Sequence, residues 1–380
     1  MKIIFILFLA TSVAFNVSGQ STAKDWYDKG TELKKSDKFK EAIDAFKKAI
    51  SLQPTYADAL YQLGWCYNEL EMYNEAIDAF RKEEKNKPSN LARTYFEIGY
   101  AYKGLMKYED AVTYFTKTID LDSEYELAYK DRGYCNYKLA KYEKALTDYN
   151  EYADLVFDDV EDADFWYQKG WLENDLAKYK DAVNSLKNSI SIDKQYPDAY
   201  SELGYSYYKL NSNSDAITNY RIAIGLDSKY YSPLAGMADV YYDNLKNYDS
   251  ALYYYEKAIQ IKQTSKSVYY RLGWCYNDRR RYNDAIDPLK NAIMIDKDYN
   301  VAKTELGYSY YKLEQYDNAL SQFRTVMSGD SKNELSRYYA GFCYYLKNDQ
   351  ANLKKMIDEL KIINTDNAWK YVETLSKYIK

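Results

Sequence analysis

The chain has 380 residues, a formal net charge of −5, a pI near 5.3 and no histidine. Charged residues make up 29% of it and only 5 are prolines, a composition that argues against long disordered tracts. The acidic balance also lacks the basic stripe typical of nucleic-acid binding, so we predict no nucleic-acid partner.

The first 19 residues form a separate segment. Lys2 precedes an apolar run at residues 3–15, which is shorter than the roughly 20 residues of a membrane span. Val17 and Gly19 then stand where a signal peptidase prefers small residues. The pattern predicts a signal peptide at 1–19, with an uncleaved anchor as the alternative. It predicts an exported protein that is periplasmic, on the cell surface or secreted. The segment also resembles signal peptides of Bacteroidota-type bacteria.

From about residue 23 to about residue 364 the chain repeats with a period of about 34 residues. Each copy holds two apolar stripes of helical period, separated by a short polar turn. In the first copy the turn is predicted at residues 36–38 and the second helix from Phe39. Glycines mark the period at Gly30, Gly64, Gly99, Gly133, Gly170, Gly204, Gly273, Gly307 and Gly341, and Asp239 takes the glycine's place in copy seven.

The recurring glycines predict close helix crossings. Glycine inside a helix costs roughly 1 kcal/mol relative to alanine, so its recurrence needs a packing reason. An alanine usually follows twelve residues later, and an aromatic usually begins the second helix. These aromatics are Phe39, Tyr73, Tyr108, Tyr142, Tyr179, Tyr248, Tyr282 and Tyr316.

This pattern resembles the tetratricopeptide repeat family, whose copies run aromatic, Leu-Gly, Tyr, Ala, aromatic, Pro. The resemblance implies an all-α fold, a right-handed superhelical solenoid of about ten helix-turn-helix copies over 20–364. It also implies a non-catalytic protein-interaction scaffold whose first helices line a concave groove. The second copy carries the pattern as Leu63, Gly64, Tyr67, Ala76, Phe80 and Pro88.

The resemblance places the residue after each glycine in that groove, where this chain carries aromatics. We call these residues the aromatic ladder: Trp65, Tyr100, Tyr134, Trp171, Tyr205, Trp274, Tyr308 and Phe342. Three residues further on stand Asn68, Asn174 and Asn277 in the Gly-Trp copies, and Tyr208 and Tyr311 in copies six and nine.

Such residue types suit the binding of a peptide segment or a partner domain. Aromatic rings offer a large contact area at low entropy cost, and side-chain amides can hydrogen-bond an extended peptide backbone. In the competing interpretation the tyrosines only pack between helices. Gly-Trp recurs in copies two, five and eight, which predicts a duplicated three-copy unit that presents one surface three times.

The four cysteines are predicted to be buried small residues. Cys66, Cys135, Cys275 and Cys343 each follow a repeat glycine by two residues. The pair closest in sequence lies two copies apart, about 20 Å, whereas a disulfide needs Cα atoms within about 7 Å. We predict no zinc site without histidine and no cofactor. The acidic run at 154–164 lacks the glycine of a calcium loop and is predicted to be a solvated turn.

We predict no enzymatic activity, because the sequence has no phosphate loop, nucleophile elbow or histidine. Two alternatives to protein binding stay open: a glycan or peptidoglycan binder that stacks sugars on the ladder, and self-association. No segment after residue 19 has the apolar length of a membrane span. Residues 365–380 are predicted to form a capping helix, whose apolar face is Trp369, Val372, Leu375 and Ile379.

Overall fold

The computed structural model describes residues 21–86, 88–156 and 160–379. These residues form 21 α-helices and one π-helical segment, and no strand occurs among them. The all-α fold class is therefore confirmed. Within this part of the chain, no helix combines the length and apolar character needed to cross a membrane. The predicted signal peptide at 1–19 lies outside the described residues.

The chain divides by its internal contacts into two units, Met1–Val160 and Glu161–Lys380. Each unit consists of helix pairs, and each pair is one copy of the repeat. The first unit holds copies one to four: α1 (Ala23–Lys35) and α2 (Phe39–Leu52), α3 (Ala57–Glu69) and α4 (Tyr73–Lys85), α5 (Leu91–Gly104) and α6 (Tyr108–Leu121), α7 (Glu126–Lys138) and α8 (Tyr142–Val156).

The second unit holds copies five to ten and one further helix. In copy seven the first helix continues into the π-helical segment Val240–Asn244. The helices are α9 (Ala163–Asp175), α10 (Tyr179–Ile192), α11 (Pro197–Lys209), α12 (Asn213–Leu226), α13 (Tyr231–Asp239), α14 (Tyr248–Ile261), α15 (Lys266–Asp278), α16 (Tyr282–Ile295), α17 (Asn300–Lys312), α18 (Tyr316–Gly329), α19 (Glu334–Leu346), α20 (Gln350–Ile363) and α21 (Asp366–Ser376).

All eight aromatics predicted to begin a second helix do so. Before each second helix, one residue adopts the left-handed backbone region, with φ between 54° and 60°. In copy one this residue is Asp37, and the N–H of Lys38 then bonds to the Leu33 carbonyl at 3.0 Å. This left-handed step satisfies carbonyls at the end of the first helix and reverses the chain.

The repeat glycines sit where the two helices of a copy cross. A Cβ on Gly30 would lie 2.6 Å from the ring of Phe46, sixteen residues later in the chain. The same pairing recurs from Gly64 with Phe80 to Gly307 with Phe323. The close approach allows no side chain, which is the packing reason that the sequence predicted.

The cysteines occupy the interior as predicted. Cys66, Cys135, Cys275 and Cys343 are buried and free of disulfides. Burial raises the pKa of each thiol, to about 11 at Cys66 and to about 12 at the other three. They are therefore small core residues with little thiolate character near neutral pH.

The last helix covers copy ten through only half of its predicted apolar face. Leu375 is fully buried, and its Cδ1 would lie 2.7 Å from a Cβ on Gly341. Val372 is also buried, but Trp369 is 49% and Ile379 42% exposed. The predicted face is corrected here because α21 ends at Ser376, before Ile379, and because the Trp369 indole N–H donates to Asn364 Oδ1 at 2.9 Å.

The acidic run at 154–164 is described only in part, because residues 157–159 lie outside the described residues. Near its end Asp162 caps α9, since its carboxylate accepts a hydrogen bond from the Phe165 N–H at 3.0 Å. Across the described residues, no three Cys, Asp or Glu side chains are grouped as metal ligands.

Candidate functional site

The first helices of neighbouring copies contact each other within both units, as α3 contacts α5 and α9 contacts α11. The surface of these helices carries the aromatic ladder. Tyr100 is exposed, at 37% of its surface, and the other ladder residues are half-buried. The ladder therefore combines a packed edge with an accessible edge.

The packed edges rest on the preceding copy. The ring of Trp65 meets Phe39, the first residue of the preceding second helix, edge-on at 5.8 Å and 70°. The same edge-to-face contact recurs at 6.1–6.4 Å between the rings of Tyr134 and Tyr108, Tyr205 and Tyr179, and Tyr308 and Tyr282. Such contacts fix the orientation of the ladder rings before any ligand arrives.

Cationic side chains lie over the ladder rings. Lys34 Nζ lies 3.6 Å from the ring centre of Trp65. Lys209 lies 5.4 Å from the Tyr205 ring and 5.5 Å from the Tyr208 ring. Lys312 is placed in the same way over Tyr308 and Tyr311, at 5.4 and 5.3 Å. The cations occupy part of the ring faces that a flat ligand would use.

The three predicted asparagines lie inside the fold. Asn68, Asn174 and Asn277 are each 4% exposed. Asn277 Nδ2 donates to the Glu305 backbone carbonyl at 3.2 Å and to its Oε2 at 3.0 Å. Asn174 and Asn68 make the same pair of bonds to Glu202 and Glu97. A ligand could bind the N–H groups of these amides only by breaking their hydrogen bonds to the glutamates, so we do not retain the asparagines in the proposed ligand surface.

The hydrogen bonding of the amide oxygen, Oδ1, differs between the three asparagines. Asn174 Oδ1 accepts a bond from Ser206 Oγ at 2.7 Å, and Asn277 Oδ1 accepts one from Ser309 Oγ at 2.8 Å. Ala101 stands at the equivalent place after Asn68, and Asn68 Oδ1 is buried without a partner. The three-copy period of the sequence thus corresponds to a structural contact, which each Gly-Trp copy makes with the Gly-Tyr copy that follows it.

Sequence reasoning missed the glutamates of this contact. Glu97, Glu202 and Glu305 each stand two residues before a repeat glycine. Burial raises the pKa of all three carboxyls, and the asparagine donors act in the opposite direction. Their restriction to copies that follow a Gly-Trp copy is the signal that would have found them.

The tyrosines three residues beyond the ladder also bridge copies. Tyr208 Oη donates to Asp243 Oδ2 of the next copy at 2.6 Å. Burial, followed by this bond, raises the pKa of Tyr208. The Tyr311 ring lies 5.7 Å from the Tyr339 ring and 6.3 Å from the Phe342 ring. Both tyrosines are half-buried.

The second unit contains a cavity of about 400 Å³ on the ladder surface of copies five to seven. The structure brings together the predicted residues Trp171, Asn174 and Tyr205 in its lining. The polar residues of the wall include Asp175, Glu202, Tyr220 and Asp239. The other predicted residues do not line this cavity.

Paired helices, a bare glycine at most crossings and an ordered ladder on the first helices define a helical-repeat protein. The chain belongs to the tetratricopeptide repeat family. Family models described as tetratricopeptide repeat match residues 27–90, 92–125 and 201–266, and a model described as TPR repeat matches residues 172–211. These matches span about half of the chain and fall in both units.

Solved structures of the same fold agree. The C-terminal part of a TPR repeat-containing protein from Cytophaga hutchinsonii is 16% identical, with 65% of this chain and 99% of that chain covered at a TM-score of 0.50. YrrB, described as a TPR protein with an unusual peptide-binding site, is 23% identical, with 50% and 97% covered at 0.47. Pseudomonas aeruginosa pilF is 18% identical, with 57% and 97% covered at 0.49. The likeness to the Cytophaga hutchinsonii structure shows the fold alone, and comparison with curated proteins gives no match.

Proposed function

We propose that this protein is a non-catalytic scaffold that binds a segment or domain of another protein on the aromatic ladder of its first helices. The observation that carries the proposal is the ladder itself. Its rings recur at one place in successive copies and keep an accessible edge, and four of them, Trp65, Tyr134, Tyr205 and Tyr308, are held edge-on by the preceding copy. Pre-positioned aromatic rings cost little entropy on binding and dominate many protein interfaces.

The competing glycan-binding function is less well supported. A sugar stacks on the open face of a ring, whereas Lys34, Lys209 and Lys312 lie over ladder rings. A protein segment can use the remaining ring edges, the tyrosine hydroxyls and the neighbouring charges together. We therefore place protein binding first and make glycan binding an outcome of the test.

We also propose that the protein is exported, on the evidence of the apolar run at 3–15 and the small residues after it. The partner would then be a protein of the periplasm, the cell surface or the surroundings. Detection of the chain in the envelope or culture fluid, shortened at residue 19, tests this part separately. A full-length chain retained in the cytoplasm would contradict it.

Site-specific photocrosslinking tests the ladder directly. The crosslinking amino acid p-benzoylphenylalanine replaces Tyr100 or Tyr205 in the full chain, and the cells that make the protein are irradiated. Tyr253 is the matched control, because it is a tyrosine that is 50% exposed on the second helix α14 and also has a lysine over its ring.

We expect protein adducts from the two ladder positions and none from Tyr253. Adducts that contain only a second copy of this chain would favour self-association. Absence of ladder adducts, or equal adducts from all three positions, would overturn the proposal. Retention on polysaccharide or cell-wall sacculi in that case would favour the glycan alternative.

A further inference from the structure

The cavity of copies five to seven has an unusual balance of charge. Three carboxylates line it, from Asp175, Glu202 and Asp239, and no lysine or arginine does. Outside the lining, the Arg271 guanidinium is a counter-charge of Asp239, with Nε 3.9 Å from Asp239 Oδ1. The cavity therefore carries an excess of negative charge in a partly enclosed space, where charge interactions are stronger than in open water.

Several of its oxygens are still available as acceptors. Glu202 uses Oε2 to accept from Asn174, and Asp239 uses Oδ1 to accept from the Tyr255 hydroxyl. Among the described residues no hydrogen bond reaches Glu202 Oε1 or Asp239 Oδ2, which belong to half-buried side chains, or either carboxylate oxygen of the exposed Asp175. A buried or half-buried carboxylate oxygen without a donor favours a ligand that brings N–H groups.

A buried hydroxyl points to the same ligand. Tyr220 is 2% exposed, lines the cavity and makes no hydrogen bond to any described residue. Its ring lies against the bare backbone of Gly236, where a Cβ would come within 2.4 Å of Cζ and 2.6 Å of the hydroxyl oxygen. A hydroxyl that faces a cavity without a protein partner can form hydrogen bonds with a bound polar group.

Aromatic rings also line the cavity. Trp171 and Tyr205 both line the cavity, and the edge-on contact with Tyr179 at 6.2 Å fixes the Tyr205 ring. Because Lys209 Nζ already lies 5.4 Å from the Tyr205 ring, the attraction for an ammonium or guanidinium group comes from the carboxylates and the Trp171 indole, both of which attract a cation. A carboxylate or phosphate would be repelled by the same wall.

We infer that this cavity receives the cationic side chain of a lysine or arginine in the protein segment that the ladder binds. The inference rests on the proposed function and adds the chemical class of the anchoring residue. Tyr220 and the free carboxylate oxygens accept its N–H groups, and Trp171 and Tyr205 flank its charge. A small free polyamine shares this chemistry and is distinguished by the experiment.

The test uses four randomised decapeptide libraries that differ only in a fixed central residue, Lys, Arg, Gln or Glu. Each is passed over the immobilised full chain, and retained peptide is measured. We expect about tenfold greater retention of the Lys and Arg libraries than of the Gln library, the gain that a desolvated cation contact provides. The Glu library should be retained least.

Two variants locate the preference. Asp175→Asn with Glu202→Gln removes two charges but keeps acceptor oxygens, and Ser232→Trp narrows the cavity from an exposed lining position without changing charge. Both should abolish the basic preference. Asp287→Asn, on the exposed surface of the second helix α16, changes net charge outside the cavity and should leave the preference intact.

Equal retention of all four libraries would overturn the inference while leaving the photocrosslinking test of the ladder intact. A basic preference that survives in both cavity variants, or is equally lost in Asp287→Asn, would reveal general charge attraction and also overturn it. Spermidine is titrated alone by calorimetry. If spermidine binds at this cavity and the libraries show no preference, the ligand of the cavity is a small free cation and not a peptide side chain.

Discussion

The Tyr255 hydroxyl donates a hydrogen bond to the Asp239 carboxylate in the one copy where aspartate stands at the glycine position. In other copies a glycine stands at this crossing, and the side chain sixteen residues later lies against its bare backbone, as the Tyr220 ring lies against Gly204. Copy seven therefore holds its two helices together by a polar bond, and its first helix ends in a π-helical segment. The same aspartate is thereby turned toward the cavity of copies five to seven.

A double-mutant cycle measures this bond. Tyr255→Phe leaves the half-buried Asp239 carboxylate without its donor, and Asp239→Gly leaves the buried Tyr255 hydroxyl without its acceptor, so each should cost about 1–3 kcal/mol of unfolding free energy. The double variant recreates a glycine–phenylalanine crossing like that of Gly30 and Phe46 and should cost clearly less than the sum. Urea unfolding of the four proteins gives the coupling energy. Strictly additive costs would show that the two side chains act independently.

The unpartnered Asn68 Oδ1 predicts a stabilising substitution. Ala101→Ser places a hydroxyl where Ser206 and Ser309 donate to the equivalent asparagines. We expect it to raise the unfolding free energy by about 1 kcal/mol, because a buried acceptor gains its donor. Ser309→Ala is the reciprocal control and should lower stability by a similar amount. Destabilisation by both substitutions would mean that copy three has no room for the hydroxyl.

Glu83 makes the stability of the first unit depend on pH. It is 1% exposed, and Thr94 Oγ1 donates to its Oε2 at 3.2 Å. Burial raises the pKa of this carboxyl from the ordinary 4.5 to about 7. The folded state therefore holds its proton to higher pH than the unfolded state. Stability from this group is full below about pH 4.5 and is lost as pH rises through about 7.

Glu83→Gln removes this dependence. Above pH 7.5 the variant should be more stable by about 3 kcal/mol as an upper figure, since one pKa unit corresponds to about 1.4 kcal/mol, and near pH 4.5 it should match the wild type. Chemical unfolding at several pH values gives the comparison. Glu75→Gln, an exposed carboxylate on the same helix, is the charge control. An advantage of Glu83→Gln that is constant with pH would contradict the assignment.

The contact of Leu375 with Gly341 predicts the role of the last helix. Leu375→Ala should lower the unfolding free energy by about 2–5 kcal/mol, the usual cost of removing a buried leucine. Ile379→Ala, at a position that is 42% exposed, should change it little. Deletion of residues 366–380 uncovers the end of copy ten and should lower solubility. A truncated chain that stays soluble and unfolds cooperatively would show that the cap is dispensable.

The sequence predicted most of the fold because the repeat is a local signal. The recurring glycine predicts that two helices approach too closely for a side chain, and the structure shows that approach at repeat glycines from Gly30 to Gly307. The second helices begin at the predicted aromatics for the same reason, since each copy repeats one packing solution. The apolar face of α21 was predicted less well, because its register against copy ten depends on where that helix ends.

The candidate site was predicted only in part. The ladder positions follow from the place after each glycine, and the structure puts them on the first helices, where all but the exposed Tyr100 are half-buried. Asn174 has the same sequence pattern as a ligand-binding amide, yet its partner is Glu202, 28 residues away in the next copy. The sequence pattern of a polar residue on a helix is the same whether its side chain faces solvent, a ligand or another helix.

Spacing within the chain alone determined the repeat, the helix pairs, the burial of the cysteines and the place of the ladder, because each depends on contacts that recur about every 34 residues. Only the tertiary structure decided which polar groups form hydrogen bonds with another copy and which face a cavity without a partner among the described residues. The Asn277 amide is hydrogen-bonded to Glu305 and Ser309, whereas the Tyr220 hydroxyl lies at a cavity wall without a partner among the described residues. That difference arises from distances between copies, and a helix pattern contains no information about the side chain that the next copy brings opposite to it.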